Sequence, residues 1–302
     1  MNVAVTGATG LVGSRLVSRL LERGDEVTVL SRDPDRARSV LGEVEVADWD
    51  PTGTAPPTGG LAGREGVVHL AGEPVAQRWS DMAKERIWTS REAGTRCLVA
   101  GLREAEPRPG VLVSASGMGY YGPRGDERLD ESAEPGDDFL ADVTKVWEAE
   151  AAAAEELGLR VVLVRTGVVL DRAGGALAKM LPPFRAGIGG PVAGGRQYLP
   201  WIHLDDLVGI YLAALDGGDW SGPINASAPE PVTNKEFSKA LGRALHRPAF
   251  APVPALALRV LYGEMAEIVT TGQRAIPKRA TDLGYAFRHP DLDEALAAAL
   301  GS

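Results

Sequence analysis

Three observations predict an α/β fold, a Rossmann-type doubly wound parallel sheet with a smaller C-terminal substrate lobe. Short β-branched runs alternate with longer helical patterns over the first 165 residues. The strands are apolar on both faces, as strands covered by helices on each side must be. A glycine-rich turn follows the first strand and opens a helix.

The expected strands are NVAVT (2–6), EVTVLS (26–31), VEVADW (44–49), GVVHLA (66–71), GVLVSAS (110–116) and RVVLVR (160–165). Helical patterns lie between them: TGLVGSRLVSRLLERG, DPDRARSVLG, the long WSDMAKERIWTSREAGTRCLVAGLREAEP, and GDDFLADVTKVWEAEAAAAEE at 136–156. Such alternation implies a parallel sheet. PTGTAPPTGG (51–60) reads as a loop because proline and glycine dominate it. After Arg165 the pattern weakens, then WIHLDDLVGIYLAALD (201–216) returns to strand-then-helix. The expected division is a nucleotide-binding core of 1–166 and 201–218, with 167–200 and 219–302 forming the lobe.

The 302 residues are 44% apolar and 24% charged, with a net charge of −9. An acidic surface gives no electrostatic reason to expect nucleic acid or an anionic membrane as partner. No apolar run approaches the ~20 residues of a membrane helix, and no signal peptide is evident, so a cytoplasmic location is expected. The single cysteine, Cys97, lies in an apolar helical stretch and reads as a buried thiol. The four histidines lie far apart in sequence, so no metal site is expected.

VAVTGATGLVGSRL places Gly7, Gly10 and Gly13 after strand one and at a helix start. Glycine permits the tight turn and a close backbone approach to a pyrophosphate, which the helix N-terminus favours electrostatically. Strand two ends in LSRDPDR. An acidic residue near that end would hold a ribose 2′-hydroxyl. Ser31 and Arg32 stand there instead, and a guanidinium fork suits a 2′-phosphate, pointing to NADP(H). The competing reading has Arg32 on a surface turn and Asp33 in the acidic role. Asp48, at the end of strand three, reads either as an adenine neighbour or as a solvated strand end.

TGATGLVG, HLAGEP, SASGMGYYG and WIHLDDL together resemble an extended short-chain dehydrogenase/reductase over nearly the whole length. HLAGEPVAQRW, SREAGT, GYYG, FLADV…WE and VPALALRVLYGEM resemble its atypical epimerase-like subgroup (SDR39U1- or YfcH-like). The resemblance implies NADP(H) bound across the strand ends, with substrate held by the C-terminal lobe. It assigns Gly7, Thr9, Gly10, Leu11 and Val12 to the pyrophosphate loop, Ser31 and Arg32 to the adenosine phosphate, and Ala71 and Gly72 to the cofactor-lining backbone. It places Ser116 at the hydroxyl that normally hydrogen-bonds a substrate carbonyl.

Typical members of the wider family carry Tyr and, four residues later, Lys on the helix after strand five, about 40° apart on one face. The ammonium lowers the phenol's pKa so that it serves as acid or base near neutrality. Alignment on Trp147–Glu148 puts Leu140 and Thr144 at those positions, and neither titrates. Lys145 is rotated about 100° away and reads as solvated. Leu140, Val143, Trp147 and Ala151 read as a core stripe.

Candidate replacements are Tyr121 or Tyr120 as proton donor, and Glu73 as base, substrate ligand or ribose contact. Arg78 is a candidate anion ligand. His203 reads as structural, and Asp205 and Asp206 as caps of the following helix. Two functions remain open. One is an NADP(H)-dependent oxidoreductase or epimerase acting on a small carbonyl or hydroxyl compound, with a sugar or nucleotide-sugar as an example. The other is a non-catalytic NADP(H)-binding sensor or scaffold. The long helices permit a homodimer.

Overall fold

The computed structural model describes residues 1–52, 55–57 and 59–301. Seven strands form one wholly parallel sheet: β1 Asn2–Thr6, β2 Glu26–Ser31, β3 Glu45–Asp48, β4 Gly66–His69, β5 Val111–Gly117, β6 Arg160–Thr166 and β7 Gly222–Ala226. Their order is β7-β6-β5-β4-β1-β2-β3. The winding direction reverses between β1 and β4, and the crevice at such a switch point is where open α/β sheets bind ligands.

Period-two alternation sends Val3 and Val5 to one face and Ala4 to the other. The first face carries α1 (Leu11–Glu22), α2 (Pro34–Leu41) and α6 (Leu204–Asp216). The second carries α3 (Asp81–Glu104) and the end of α4 (Phe139–Ala152), with Cys97 packed against its core. A separate core joins α5 (Gly175–Arg185), α7 (Asn234–Ala244) and the terminal helix α9 (Leu292–Leu300) through Leu181, Phe237 and Leu296. Helix α8 (Ala255–Tyr262) lies on the surface and buries no residue.

Strands two to six of the chain fall within a residue or two of expectation, and β1 matches it. Two placements differ. Residues 201–203 pair with 168–170 in a small two-stranded sheet rather than joining the main one. The seventh strand comes from 222–226, inside the stretch expected to belong to the lobe. Pro223 and Asn225 give it poor strand propensity, and an edge position tolerates the proline. The expected loop at 51–60 is turn-like where described, while 53, 54 and 58 lie outside the described residues. No described helix is long and apolar enough to cross a membrane.

Candidate active site

The glycine loop joins β1 to α1 at the switch point. Gly7 has φ +66°, and a Cβ on it would lie 2.6 Å from the Leu70 carbonyl carbon. A Cβ on Gly13 would lie 2.3 Å from the Gly7 carbonyl oxygen. The loop therefore closes on both the β4 exit and its own helix only because side chains are missing. Gly10 caps α1 without a side-chain hydrogen bond, and the first turn carries no acid. Such an end suits a phosphate.

Thr6 and His69 organise the facing strand end. Thr6 Oγ1 accepts the backbone N–H groups of Leu70 and Ala71 at 3.1 and 3.2 Å. Fully buried His69 places Nδ1 2.8 Å from that same oxygen and Nε2 3.1 Å from Thr95 Oγ1. Burial, reinforced by the Arg91 charge, pushes its pKa down to about 4.

At the end of β2, Asp33 is committed to α2, its carboxylate accepting the Arg36 N–H. Its backbone N–H is taken by Ser31 Oγ. Arg32 is exposed and makes no hydrogen bond or ion pair among the described residues. The acidic alternative is thus occupied as a helix cap, whereas the guanidinium makes no such contact among the described residues and its charge acts on Asp50 only at a distance. Asp48 is exposed in register with Ser31.

A cavity of about 660 Å³ opens beside this crevice, lined by Val12 and Leu70 at one side and Ser116 to Gly119 beneath. Helix α4 supplies Leu140, Val143, Thr144 and Trp147 to its wall. Of the stripe expected to be core, Val143, Trp147 and Ala151 are buried, but Leu140, Val143 and Trp147 also line the cavity, and Ala151 alone joins the core of the second face. An apolar wall and an apolar core leave the same sequence signature. Lys145 points elsewhere, pairing with Asp142 at 2.7 Å.

Ser116 is buried and donates its hydroxyl proton to Glu148 Oε1 at 2.6 Å. Arg165, in register with Ser116 on β6, binds both Glu148 oxygens at 2.8 Å. Burial alone would lower the Arg165 pKa, but the Glu148 carboxylate drives it up overall. The Tyr120 ring stacks on the guanidinium at 3.4 Å. Arg165 Nη1 also donates to the Tyr121 hydroxyl, which donates to Asn225 Oδ1 at 2.7 Å. Glu131 closes the network by accepting the Asn225 and Arg279 N–H groups, and burial raises its pKa. None of Glu148, Arg165, Asn225 or Glu131 was singled out in the sequence as a functional partner, because each meets its partners only through the tertiary fold.

The candidate acids change role accordingly. Tyr121 has no exposed surface, and burial pushes its pKa up to about 12. A phenol sealed between Asn225 and Arg165 cannot hand a proton to a substrate. Tyr121→Phe is expected to lower unfolding free energy by about 1–3 kcal/mol, because it strips partners from buried polar groups. Coenzyme affinity should not change, and urea melts beside coenzyme titrations check both. The Glu73 carboxylate accepts from Gln77 and Arg86 and does not line the cavity. Arg78 is spent on the carbonyls of Val260 and Leu261.

Around α6 the cap is His203 itself, whose Nδ1 accepts the Asp205 N–H. Asp205 instead pairs with Arg15, and buried Asp206 accepts the N–H groups of Arg288 and His289. The fold brings His203 and His289 together, ring centroids 3.9 Å apart, although 86 positions separate them in sequence by the difference of their numbers. Burial, then the neighbouring His289, lowers the His203 pKa. Sequence spacing held no sign of this pair.

A glycine loop at a parallel-sheet switch point, facing a substrate-sized cavity, defines a dinucleotide-binding α/β protein. Residues 3–226 match the NAD dependent epimerase/dehydratase family, and residues 253–299 match a domain of unknown function, DUF1731. The chain belongs to that epimerase/dehydratase family. It is 40% identical to the chloroplastic SDR39U1 homolog of Arabidopsis thaliana, over 99% of this chain and 86% of that one. It is 38% identical to the human epimerase family protein SDR39U1, over 98% of both. The crystal structure of human SDR39U1 (isoform 2) with NADPH superposes with a TM-score of 0.88 at 35% identity, covering 100% of this chain and 99% of that one.

Proposed function

We propose that the chain binds NADP(H) and acts as an oxidoreductase or epimerase on a small hydroxyl or carbonyl compound. The observation that carries this reading is the continuity of the glycine cradle with the cavity floored by Ser116. Gly7, Thr9, Gly10, Leu11, Val12 and Gly13 would hold the pyrophosphate, Ser31 and Arg32 the 2′-phosphate, and Ala71 and Gly72 the remainder of the β4 side. The NADPH found with the human relative supports that choice of cofactor. When bound, the nicotinamide supplies hydride transfer.

The chain's own residues set the substrate's orientation. The Ser116 proton is committed to Glu148, so its oxygen offers lone pairs to the cavity. An acceptor there selects a substrate O–H over a bare carbonyl. Val143 and Leu140 give that end of the cavity an apolar wall. A second reading is favoured by α4 itself: Leu140 and Thr144 face the cavity and carry no titratable proton. On that reading the chain is a non-catalytic NADP(H) sensor or scaffold.

Nicotinamide absorbance with a panel of alcohols, aldehydes, ketones and sugars separates the two. Turnover of any member supports the enzyme, whereas tight coenzyme binding without turnover supports the sensor. Arg32→Glu is expected to weaken NADPH binding about tenfold or more while sparing NADH, since it exchanges a charge-assisted phosphate contact for repulsion. Equal affinities of wild type and variant for NADPH would remove the 2′-phosphate assignment.

A further inference from the structure

Arg91 is a cation that the glycine loop and the helix-borne dyad positions do not account for. It rises from the middle of α3 and is 9% exposed. Its Nη1 donates to the carbonyls of Glu73 at 3.0 Å and Ile87 at 3.1 Å. Nε and Nη2 make no hydrogen bond among the described residues. Glu73 is the carboxylate that acts on it, and only at a distance, since that carboxylate is bonded to Gln77 and Arg86. Burial lowers the guanidinium pKa to about 10, so the charge persists at neutral pH. A buried charge without a counter-ion is strongly destabilising unless something else pairs with it.

The location says what does. Gly72 makes room for Arg91: a Cβ there would lie 3.3 Å from the guanidinium carbon. On its other side the guanidinium sits 4.8 Å from the ring of Trp147, which is three residues beyond Thr144 on α4. Trp147 is 6% exposed, and its indole N–H has no acceptor among the described residues. Val12, Arg91, Trp147 and Ser116 all line the same cavity. Two unmatched donors thus line the same cavity as Val12 at the start of α1 and Ser116.

We infer that Arg91, backed by Trp147, is the cation that holds the nicotinamide half of the coenzyme, in place of a lysine at the Thr144 position of α4. This rests on the NADP(H) reading above. A guanidinium reaching from α3 delivers positive charge and forked donors to the wall where an ammonium from α4 would otherwise arrive, and it suits ribose or phosphate oxygens equally.

Isothermal titration of wild type, R91K and R91M with two ligands tests this. NADPH has the nicotinamide half; 2′,5′-ADP keeps the adenosine 2′-phosphate and lacks it. R91M is expected to weaken NADPH about ten- to a hundredfold, the range for a charge-assisted hydrogen-bonding group, while 2′,5′-ADP stays within about twofold. R91K should fall between R91M and wild type for NADPH, and it carries the comparison if melting shows R91M unfolded. Unchanged NADPH affinity overturns the inference. So does an equal loss for both ligands, the outcome of a purely structural arginine. If wild type binds neither ligand, the coenzyme reading fails first and this inference falls with it.

Discussion

Replacing Glu148 with alanine is expected to lower the unfolding free energy by about 3–5 kcal/mol, the usual effect of removing one partner from a buried ion pair. The Arg165 side chain is 3% exposed and that of Glu148 10%, so water cannot compensate the abandoned guanidinium. Both Glu148 oxygens take an Arg165 N–H at 2.8 Å, and one of them also takes the Ser116 proton. Losing the carboxylate therefore strands a charge and releases the hydroxyl on the cavity floor in one step. Glu148→Gln keeps the shape but halves the acceptor capacity, and should fall between alanine and wild type. Pairing E148A with Arg165→Met removes the stranded charge. The double variant should be more stable than E148A alone, because an apolar replacement of a whole buried pair is often tolerated. Urea unfolding at pH 7 measures all three. E148A within about 1 kcal/mol of wild type would show that the network contributes little, against the typical range for buried pairs.

What the sequence disclosed follows from how local each signal is. The glycine loop was legible because strand, turn and helix start are neighbours in the chain, and the close contact of Gly7 with Leu70 follows from the same strand pairing. The departure of α4 from the Tyr-and-Lys pattern was legible only through the family resemblance, which aligns Leu140 and Thr144 with those positions. The buried network was not. Tyr121 follows an exposed-looking strand exit, yet its hydroxyl meets Asn225, 104 positions away, on a strand whose proline and asparagine hid it. Arg91 sits in a long helical pattern with nothing in its spacing to single it out, and only packing against Gly72 and Trp147 reveals a cation facing a cavity. Asp33, the alternative acidic ligand of the sequence reading, and His203, read there as structural, both cap helices.

Acid should loosen the β4 exit through one residue, His69. Thr6 Oγ1 accepts two backbone N–H groups, so its single proton goes to His69 Nδ1. Nε2 must then carry the ring proton and donate to Thr95 Oγ1. Full burial, reinforced by the Arg91 charge, holds the pKa at about 4 rather than 6.5, and a second proton on Nδ1 would also face the Thr6 hydroxyl proton. Between these values the unfolded chain binds a proton that the folded chain does not, so stability falls as pH drops from about 6.5 to about 4. The gap corresponds to about 3 kcal/mol, lost across that window and fully regained above it. His69→Gln lacks the titrating ring, so the wild type should lose about that much more stability than the variant between pH 7.5 and pH 4. His203, whose pKa is also lowered, contributes equally to both proteins and cancels in the difference. Because Leu70 and Ala71 hang from Thr6 beside the glycine loop, coenzyme affinity should decline over the same range in wild type. Nitrogen-15 spectra showing His69 protonated on both nitrogens at pH 6 would refute the tautomer assignment and the pH dependence built on it.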